Sequence, residues 1–267
     1  MTNGSDDPAY VNQAYNQPRF ERPSISGISQ YLCRIYSVVT RPRVGPTLQS
    51  FLRSARAGGG SKLQQETMDV RDDLIREVVA GRSFVDVGGL WGTVNEKVSV
   101  AVAAGAESVT MLDITPPDTE LWTLLHERLT NLGVNDYARI SGDVNKLGNQ
   151  EGFPAFDVVH CSGVLYHHPE PLHLIRSLRK ITRRHLILTS AVTQERIEND
   201  LGVFQIAASG VLFVPALQEN ERKIVAKYWT EHAGAVAWGI TEPVKWNLED
   251  SAPWWYLPTA HAMTAMA

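Results

Sequence analysis

A chain of 267 residues with 43% hydrophobic and 20% charged side chains can build a sizeable core, which excludes a wholly disordered polymer. Its net charge of −4 leaves no electrostatic footprint of a general nucleic-acid binder. The sequence has no apolar run of membrane-spanning length and no signal-peptide pattern at its start. Two cysteines far apart, Cys33 and Cys161, make no disulfide framework, so a reducing cytoplasm is the expected compartment.

Residues 1–25 are polar and rich in Asn, Gln, Asp and Pro, which predicts a loosely held arm. Ile28, Tyr31, Leu32, Ile35, Val38 and Val39 fall at helical spacing and predict a helix over 28–39, with a second short one over 46–56. Ala57-Gly58-Gly59-Gly60 breaks that pattern as a hinge. Ser61 and Gln64 then read as a capping box opening a helix. Val70, Leu74, Ile75, Val78 and Val79 lie on one face of it, and Gly81 stops it.

The stretch 83–92 follows, an apolar strand running into Asp86 and a turn with Gly88, Gly89 and Gly92. A helix over 93–104 is expected, with Val94, Val98, Ala101 and Val102 inward and Gly105 closing it. The next strand, 108–112, ends at Asp113, and Pro117-Asp118 opens a helix carrying Leu121, Leu125, Leu129 and Leu132 up to Gly133. A third strand, 137–141, leads to Gly142-Asp143, and a fourth, 156–161, runs into Ser162-Gly163-Val164-Leu165-Tyr166-His167-His168-Pro169. An amphipathic helix over 171–182 presents Leu174, Leu178 and Ile181, and 185–189 is a fifth strand. Five short strands alternating with helices predict an α/β fold, a doubly wound, mostly parallel sheet with helices on both faces.

Beyond Ser190 the alternation stops, with a strand expected at 211–214 and an apolar stretch at 235–238. Residues 1–60 are read as an arm with helices, 61–190 as the core, and 191–267 as a lid followed by a last helix capped by Thr259.

In a doubly wound sheet the strand ends at 86–92, at Asp113, at Asp143 and at 161–168 converge on one crevice. A dinucleotide site asks for G-x-G-x-x-G against a pyrophosphate. Here Val87-Gly88-Gly89-Leu90-Trp91-Gly92 lacks the first glycine, which disfavours an NAD-type oxidoreductase. Asp113, placed to take ribose hydroxyls, suits either class of cofactor.

The pattern Asp86-x-Gly88-x-x-x-Gly92 resembles motif I of the class I S-adenosylmethionine-dependent methyltransferases, whose Rossmann-like fold cradles a cofactor without a pyrophosphate. Asp113 falls where that family holds the ribose, and Gly142-Asp143-Val144 is similar to its signature near the adenine amino group. Cys161-Ser162-Gly163-Val164-Leu165-Tyr166-His167 resembles its fourth motif. The wording Gly-Val-Leu-Tyr-His is similar to a subgroup that includes tRNA wobble-uridine-modifying and small-molecule methyltransferases, and 253–259 matches that subgroup's late segment. The resemblance implies S-adenosylmethionine as cofactor, bound by Asp86, Val87, Gly88, Gly89, Gly92, Asp113, Ile114, Asp143, Val144, Cys161, Ser162 and Gly163. The departures are Leu90, where the family has glycine, and the bulky Trp91.

Methyl transfer needs in-line geometry above all, and a base only where the nucleophile holds its proton. His167 and His168 are the candidate bases, with Tyr166 beside them as a further catalytic candidate. Capping and packing of the next helix is the competing reading for both histidines. His167-His168-Pro169-Glu170 is not expected to bind a metal, because adjacent side chains rarely converge on one ion. The basic run Arg176, Arg179, Lys180, Arg183 and Arg184 suits either a phosphate backbone or a solvated helix end. Trp254, Trp255 and Tyr256 suit either an aromatic acceptor or lid packing.

These readings point to methyl transfer from S-adenosylmethionine to a small-molecule acceptor by in-line displacement, with no membrane partner and homo-oligomerisation left open. The alternatives are a tRNA-modifying transferase, an NAD-type oxidoreductase, and an inactive cofactor-binding scaffold. The resemblance also calls for two more strands, an antiparallel pair beside 185–189, for which the remaining sequence offers only one helix. The chain is therefore expected to be a fragment, or to cover that edge with the lid, the N-terminal helices or a second subunit.

Overall fold

The apolar runs between 83 and 191 all form parallel strands, and the segments between them supply the helices that cover the sheet. The computed structural model describes residues 34–40, 70–91, 95–233, 237–248 and 252–267, with 34–40 and 232–233 as backbone only. In chain order the main strands are β1 (Arg34–Thr40), β2 (Ser83–Val87), β3 (Ser108–Asp113), β4 (Ala138–Ser141), β5 (Phe156–Ser162) and β6 (Thr182–Ala191). They form one six-stranded sheet in the order β1-β6-β5-β2-β3-β4, parallel at every pairing. From β2 the chain winds outward through β3 and β4, then returns to the other side of β2 as β5 and β6. The order thus reverses between β2 and β5, and a crevice opens at their carboxyl ends.

Two apolar clusters sandwich this sheet. On one face, helices α1 (Val70–Val78), α2 (Val98–Ala103) and α3 (Glu120–Asn131) bury Ile75, Val78, Val98, Ala101, Trp122, Leu125 and Leu129 against Phe84, Met111, Val158 and Ile187. On the other, α4 (Val144–Leu147), α5 (Pro171–Lys180) and α7 (Ala260–Met266) bury Val144, Leu174, Leu178 and Met263 against Val85, Val159, Cys161 and Leu188. Alternate residues of β2 and β5 enter opposite clusters, as the period of two along a strand demands. This is the doubly wound α/β arrangement expected.

Three expectations need correction. The helix over 28–39 does not hold, since 34–40 is a strand paired parallel with β6 from Arg34 opposite His185 to Thr40 opposite Ala191. Arg-Ile-Tyr-Ser-Val-Val-Thr is rich in β-branched and aromatic residues, and the open edge of β6 offers a ladder that outweighs the helical spacing. The edge feared to be bare is therefore covered, by an N-terminal strand where the expected occupants were helices, a lid or a second subunit. Val102 and Leu132, placed inward by spacing, are 38% and 52% exposed, while Trp122 and Leu124 take the buried positions on α3. The expected helix over 46–56 and the capping box at Ser61 lie outside the described residues, as do Thr93 and Val94.

Residues 191–258 form a module with its own core. A hairpin of β7 (Arg196–Asn199) and β8 (Gly202–Gln205) packs on α6 (Glu219–Ala233). The strand expected at 211–214 is β9 (Val211–Phe213), and it pairs antiparallel with β10 (Tyr256–Pro258). Ile197, Phe204, Leu212, Val225, Trp229 and Trp254 are among the buried side chains of this core. Thr259 caps α7 as expected, its hydroxyl accepting the Ala262 N–H at 3.1 Å. Among the described residues no helix is long and apolar enough to cross a membrane.

Candidate active site

The turn after β2 is built on two glycines with different needs. Gly88 has φ of +77°, and a Cβ there would lie 2.3 Å from Val164 Cγ2, so the turns after β2 and β5 touch across the reversal point. At Gly89 a Cβ would sit 2.4 Å from Asp86 Oδ2. The glycine that lets the loop close over Asp86 therefore makes room for a side chain of the protein itself. Leu90, the departure from the family pattern, is fully buried among the α1, α2 and α3 side chains, and Trp91 stands 58% exposed. Gly92 lies outside the described residues.

Asp86 is 1% exposed and its two oxygens are engaged. Oδ2 accepts the Lys97 backbone N–H at 2.9 Å, and Oδ1 accepts from His160 Nδ1 at 2.7 Å. This carboxylate fastens the loop leading into α2 to the centre of β5. His160 was not singled out from the sequence. A histidine inside the run Val-Val-His-Cys was the available signal, since a buried imidazole needs a partner. Glu96 plays a similar part nearby, accepting the Ser99 N–H of the first turn of α2 at 2.9 Å.

Asp113, 3% exposed at the end of β3, accepts the Leu90 N–H at 3.1 Å through Oδ2. Its Oδ1 accepts the Thr115 N–H at 2.9 Å and the Thr115 hydroxyl at 2.7 Å. Ile114 beside it is 61% exposed, an apolar surface at the rim of the crevice. After β4, Asp143 caps the short α4 by accepting the Asn145 N–H at 2.9 Å. Val87 and Val144 are buried core residues.

At the end of β5, the Cys161 thiol is fully buried, and burial together with the Asp86 and Asp113 charges drives its pKa far above the usual range. It is a packing residue with no nucleophilic thiolate. Ser162 Oγ accepts from Arg71 Nη1 of α1 at 2.8 Å, a link across 91 residues of sequence. Gly163 has φ of +78°, and a Cβ there would meet only the Tyr166 hydroxyl oxygen, at 3.6 Å. Within 4 Å the space over Gly163 is thus bounded by the Tyr166 hydroxyl alone.

The next three residues separate into distinct roles. The Tyr166 ring lies tilted at 4.4 Å from the His167 ring and 4.5 Å from Trp254, and burial pushes its phenol up to about 12. Near neutrality it is a hydrogen-bond donor. His167 Nδ1 lies 3.0 Å from the Ala252 carbonyl and 3.3 Å from that of Pro253, so Nδ1–H donates to the 252–253 segment. That tautomer places the lone pair of the neutral ring on Nε2. His168 is held at both nitrogens, with Nδ1 accepting the Glu170 N–H at 2.9 Å and the Asn145 amide 2.6 Å from Nε2. Burial lowers its pKa against the raising effect of Asp143 and Glu170, which keeps the ring neutral.

The module that follows β6 is bonded directly to this turn. Trp255 N–H donates to the Tyr166 carbonyl at 2.7 Å, and Val214 N–H donates to the Trp255 carbonyl at 3.0 Å. Trp254 and Trp255 are 7% and 4% exposed, so they form the joint between module and turn.

A doubly wound sheet of Rossmann-like α/β class with acids and glycine turns at its reversal point is the class that fold and site define. No family model matches the chain, and no curated protein does. Among solved structures, it is similar to a proposed methyltransferase from Bacillus halodurans C-125, at 20% identity and a TM-score of 0.37 over 49% of this chain and 52% of that one. It is also similar to a ribosomal protein L11 methylase from Lactobacillus delbrueckii subsp. bulgaricus, at 20% identity and a TM-score of 0.32 over 49% and 62% of the two chains. A third is the [4+2]-cyclase SpnF, at 19% identity and a TM-score of 0.37 over 53% and 59%. The chain spans about half the length of the first of these.

Proposed function

We propose that this chain binds S-adenosylmethionine at the β2/β5 reversal point and transfers its methyl group to a small-molecule acceptor by in-line displacement. The observation that carries the reading is the meeting there of Asp113, exposed Ile114 and the open space over Gly163. Such a donor set fits a nucleoside: a carboxylate for a vicinal diol, an apolar surface for a base, and an uncrowded turn for the sulfur end. Asp113 and Ile114 would hold the nucleoside, Asp143 would face the base, and Gly163 would admit the reacting end. Asp86, Gly89, Val87 and Val144 support that crevice from beneath.

Bound there, the cofactor supplies a methyl group on a sulfonium, a good leaving group. The protein then has to orient the acceptor, exclude water and, where the nucleophile is protonated, take up one proton. His167 is the candidate for the last task, its ring beside Tyr166 and Trp254 and its Nδ1 held by the 252–253 carbonyls. His168 is committed to its own turn. The lid joint around Tyr166 and Trp254 favours a small acceptor, since its indole and phenol rings wall the turn. Thermal unfolding with S-adenosylmethionine, S-adenosylhomocysteine and NAD in parallel tests the cofactor: the first two should stabilise the protein and NAD should not. Methyl gain in an RNA fraction but not in small molecules would favour the tRNA-modifying alternative.

A further inference from the structure

Four polar side chains follow one another in the turn after β5, and three of them are engaged. Ser162 Oγ accepts from Arg71, His167 Nδ1 meets the 252–253 carbonyls, and His168 is held at both nitrogens. The Tyr166 hydroxyl has no hydrogen-bond partner among the described residues. Its ring is nevertheless fixed, 4.4 Å from His167 and 4.5 Å from Trp254, and its carbonyl takes the Trp255 N–H at 2.7 Å. The residue is half-buried, so it is both held and reachable. A phenol placed this firmly can bond a ligand with little further ordering cost.

Gly163 gives the direction of that donor. A Cβ there would lie 3.6 Å from the Tyr166 oxygen and within 4 Å of nothing else. The hydroxyl therefore stands over the carboxyl end of β5, where the proposed reading brings the reacting end of the cofactor. Burial keeps the phenol protonated near neutrality, so it donates. A donor bonded to the attacking atom would draw on the electron pair that the attack needs. Its place is therefore on a second atom of the acceptor. Asp86, Asp113 and Asp143 stand at or just after the ends of β2, β3 and β4, which disfavours a carboxylate or phosphate there. An uncharged oxygen, hydroxyl or carbonyl, is what this donor fits.

We propose that the Tyr166 hydroxyl binds the methyl acceptor, donating a hydrogen bond to an uncharged oxygen beside the atom that is methylated. This rests on the reading above and adds the acceptor's class. It is a small molecule with two neighbouring polar atoms, one that attacks and one, an uncharged oxygen, that is held.

The test is Tyr166→Phe, which keeps the ring against His167 and Trp254 and removes only the hydroxyl. Calorimetry measures S-adenosylhomocysteine affinity, and thermal unfolding measures stability. Methyl-labelled S-adenosylmethionine is then offered with a dilution series of the dialysable small-molecule fraction of a cell extract. The variant should bind S-adenosylhomocysteine within about twofold of the parent and unfold no earlier, since the hydroxyl holds nothing in the fold. Its half-saturating extract concentration should rise about five- to tenfold, with the plateau rate within about threefold. An unchanged half-saturating concentration would overturn the assignment. A matching loss of S-adenosylhomocysteine affinity or an earlier midpoint would also overturn it, because the hydroxyl would then serve the cofactor or the fold. A parent that binds S-adenosylhomocysteine but labels nothing in that fraction would overturn this inference and the small-molecule reading together. A parent that does not bind S-adenosylhomocysteine would overturn the cofactor reading itself.

Discussion

The ends of β2 and β3 present two buried aspartates that look alike in sequence and differ in use. Asp86 is bonded to the Lys97 backbone and to His160, groups that come from the loop and from the next strand. Asp113 is bonded to the Leu90 N–H of the turn after β2 and to Thr115 two residues on, beside an exposed Ile114. The first carboxylate is sealed under the glycine turn and joins two strands. The second is 3% exposed and is followed by Ile114, which is 61% exposed. The turn at Gly89 closes over Asp86, which we assign to the scaffold, and we propose Asp113 as the ligand contact.

The strongest way to break this comparison is Asp86→Ala. It strands a buried imidazole and the Lys97 N–H, so it should cost about 3–5 kcal/mol in denaturant unfolding, with or without cofactor. A loss under about 1 kcal/mol, with cofactor affinity reduced, would reverse the roles assigned to the two acids. Next in size is His167→Ala, expected to lower turnover by about a hundredfold on an acceptor that must lose a proton. His168→Ala should leave turnover within a few-fold and lower stability by about 1 kcal/mol, the value of its hydrogen bonds. Equal rates in both variants would remove the base and leave positioning alone.

Those partnerships separate what could be read from the chain from what could not. The strands expected from 83, at 108–112, 137–141, 156–161 and 185–189 were legible as short runs between helical periods, although the last begins at Thr182, where the helix was expected to end. The strand at Arg34–Thr40 was not, since its apolar residues also satisfy helical spacing and only the open β6 edge decides between the two. At the site, the glycine turn and its acids were visible as a motif. The Asp86–His160 bond and the Arg71–Ser162 bond were not, because each joins residues far apart in the chain, 74 and 91 positions respectively. The partners of His167 and His168 were likewise hidden, because the Ala252 carbonyl and the Asn145 amide come from distant parts of the chain.

The smallest expected effect concerns pH. His168 has its pKa lowered by burial, so the folded state favours the neutral ring. The unfolded chain takes up a proton first as pH falls, near the ordinary value of about 6.5. The stability that His168 contributes is present above that pH and is lost on acidification below it, toward the folded pKa. His168→Gln should flatten that part of the unfolding-versus-pH curve, and an unchanged slope would show that another group titrates there.

The central claim is that the rim of the crevice at Asp113 holds the nucleoside end of S-adenosylmethionine, and one titration tests it most directly. Calorimetry of S-adenosylhomocysteine against the parent protein and Asp113→Asn should show saturable one-site binding, weakened about ten- to a hundredfold by the substitution, about 1.5–3 kcal/mol. Without ligand, Asp113→Asn should lower stability by about 1–3 kcal/mol, because the amide keeps an oxygen for Thr115 but turns its NH2 toward the Leu90 N–H. An affinity unchanged in Asp113→Asn, measured on a folded variant, would contradict the account.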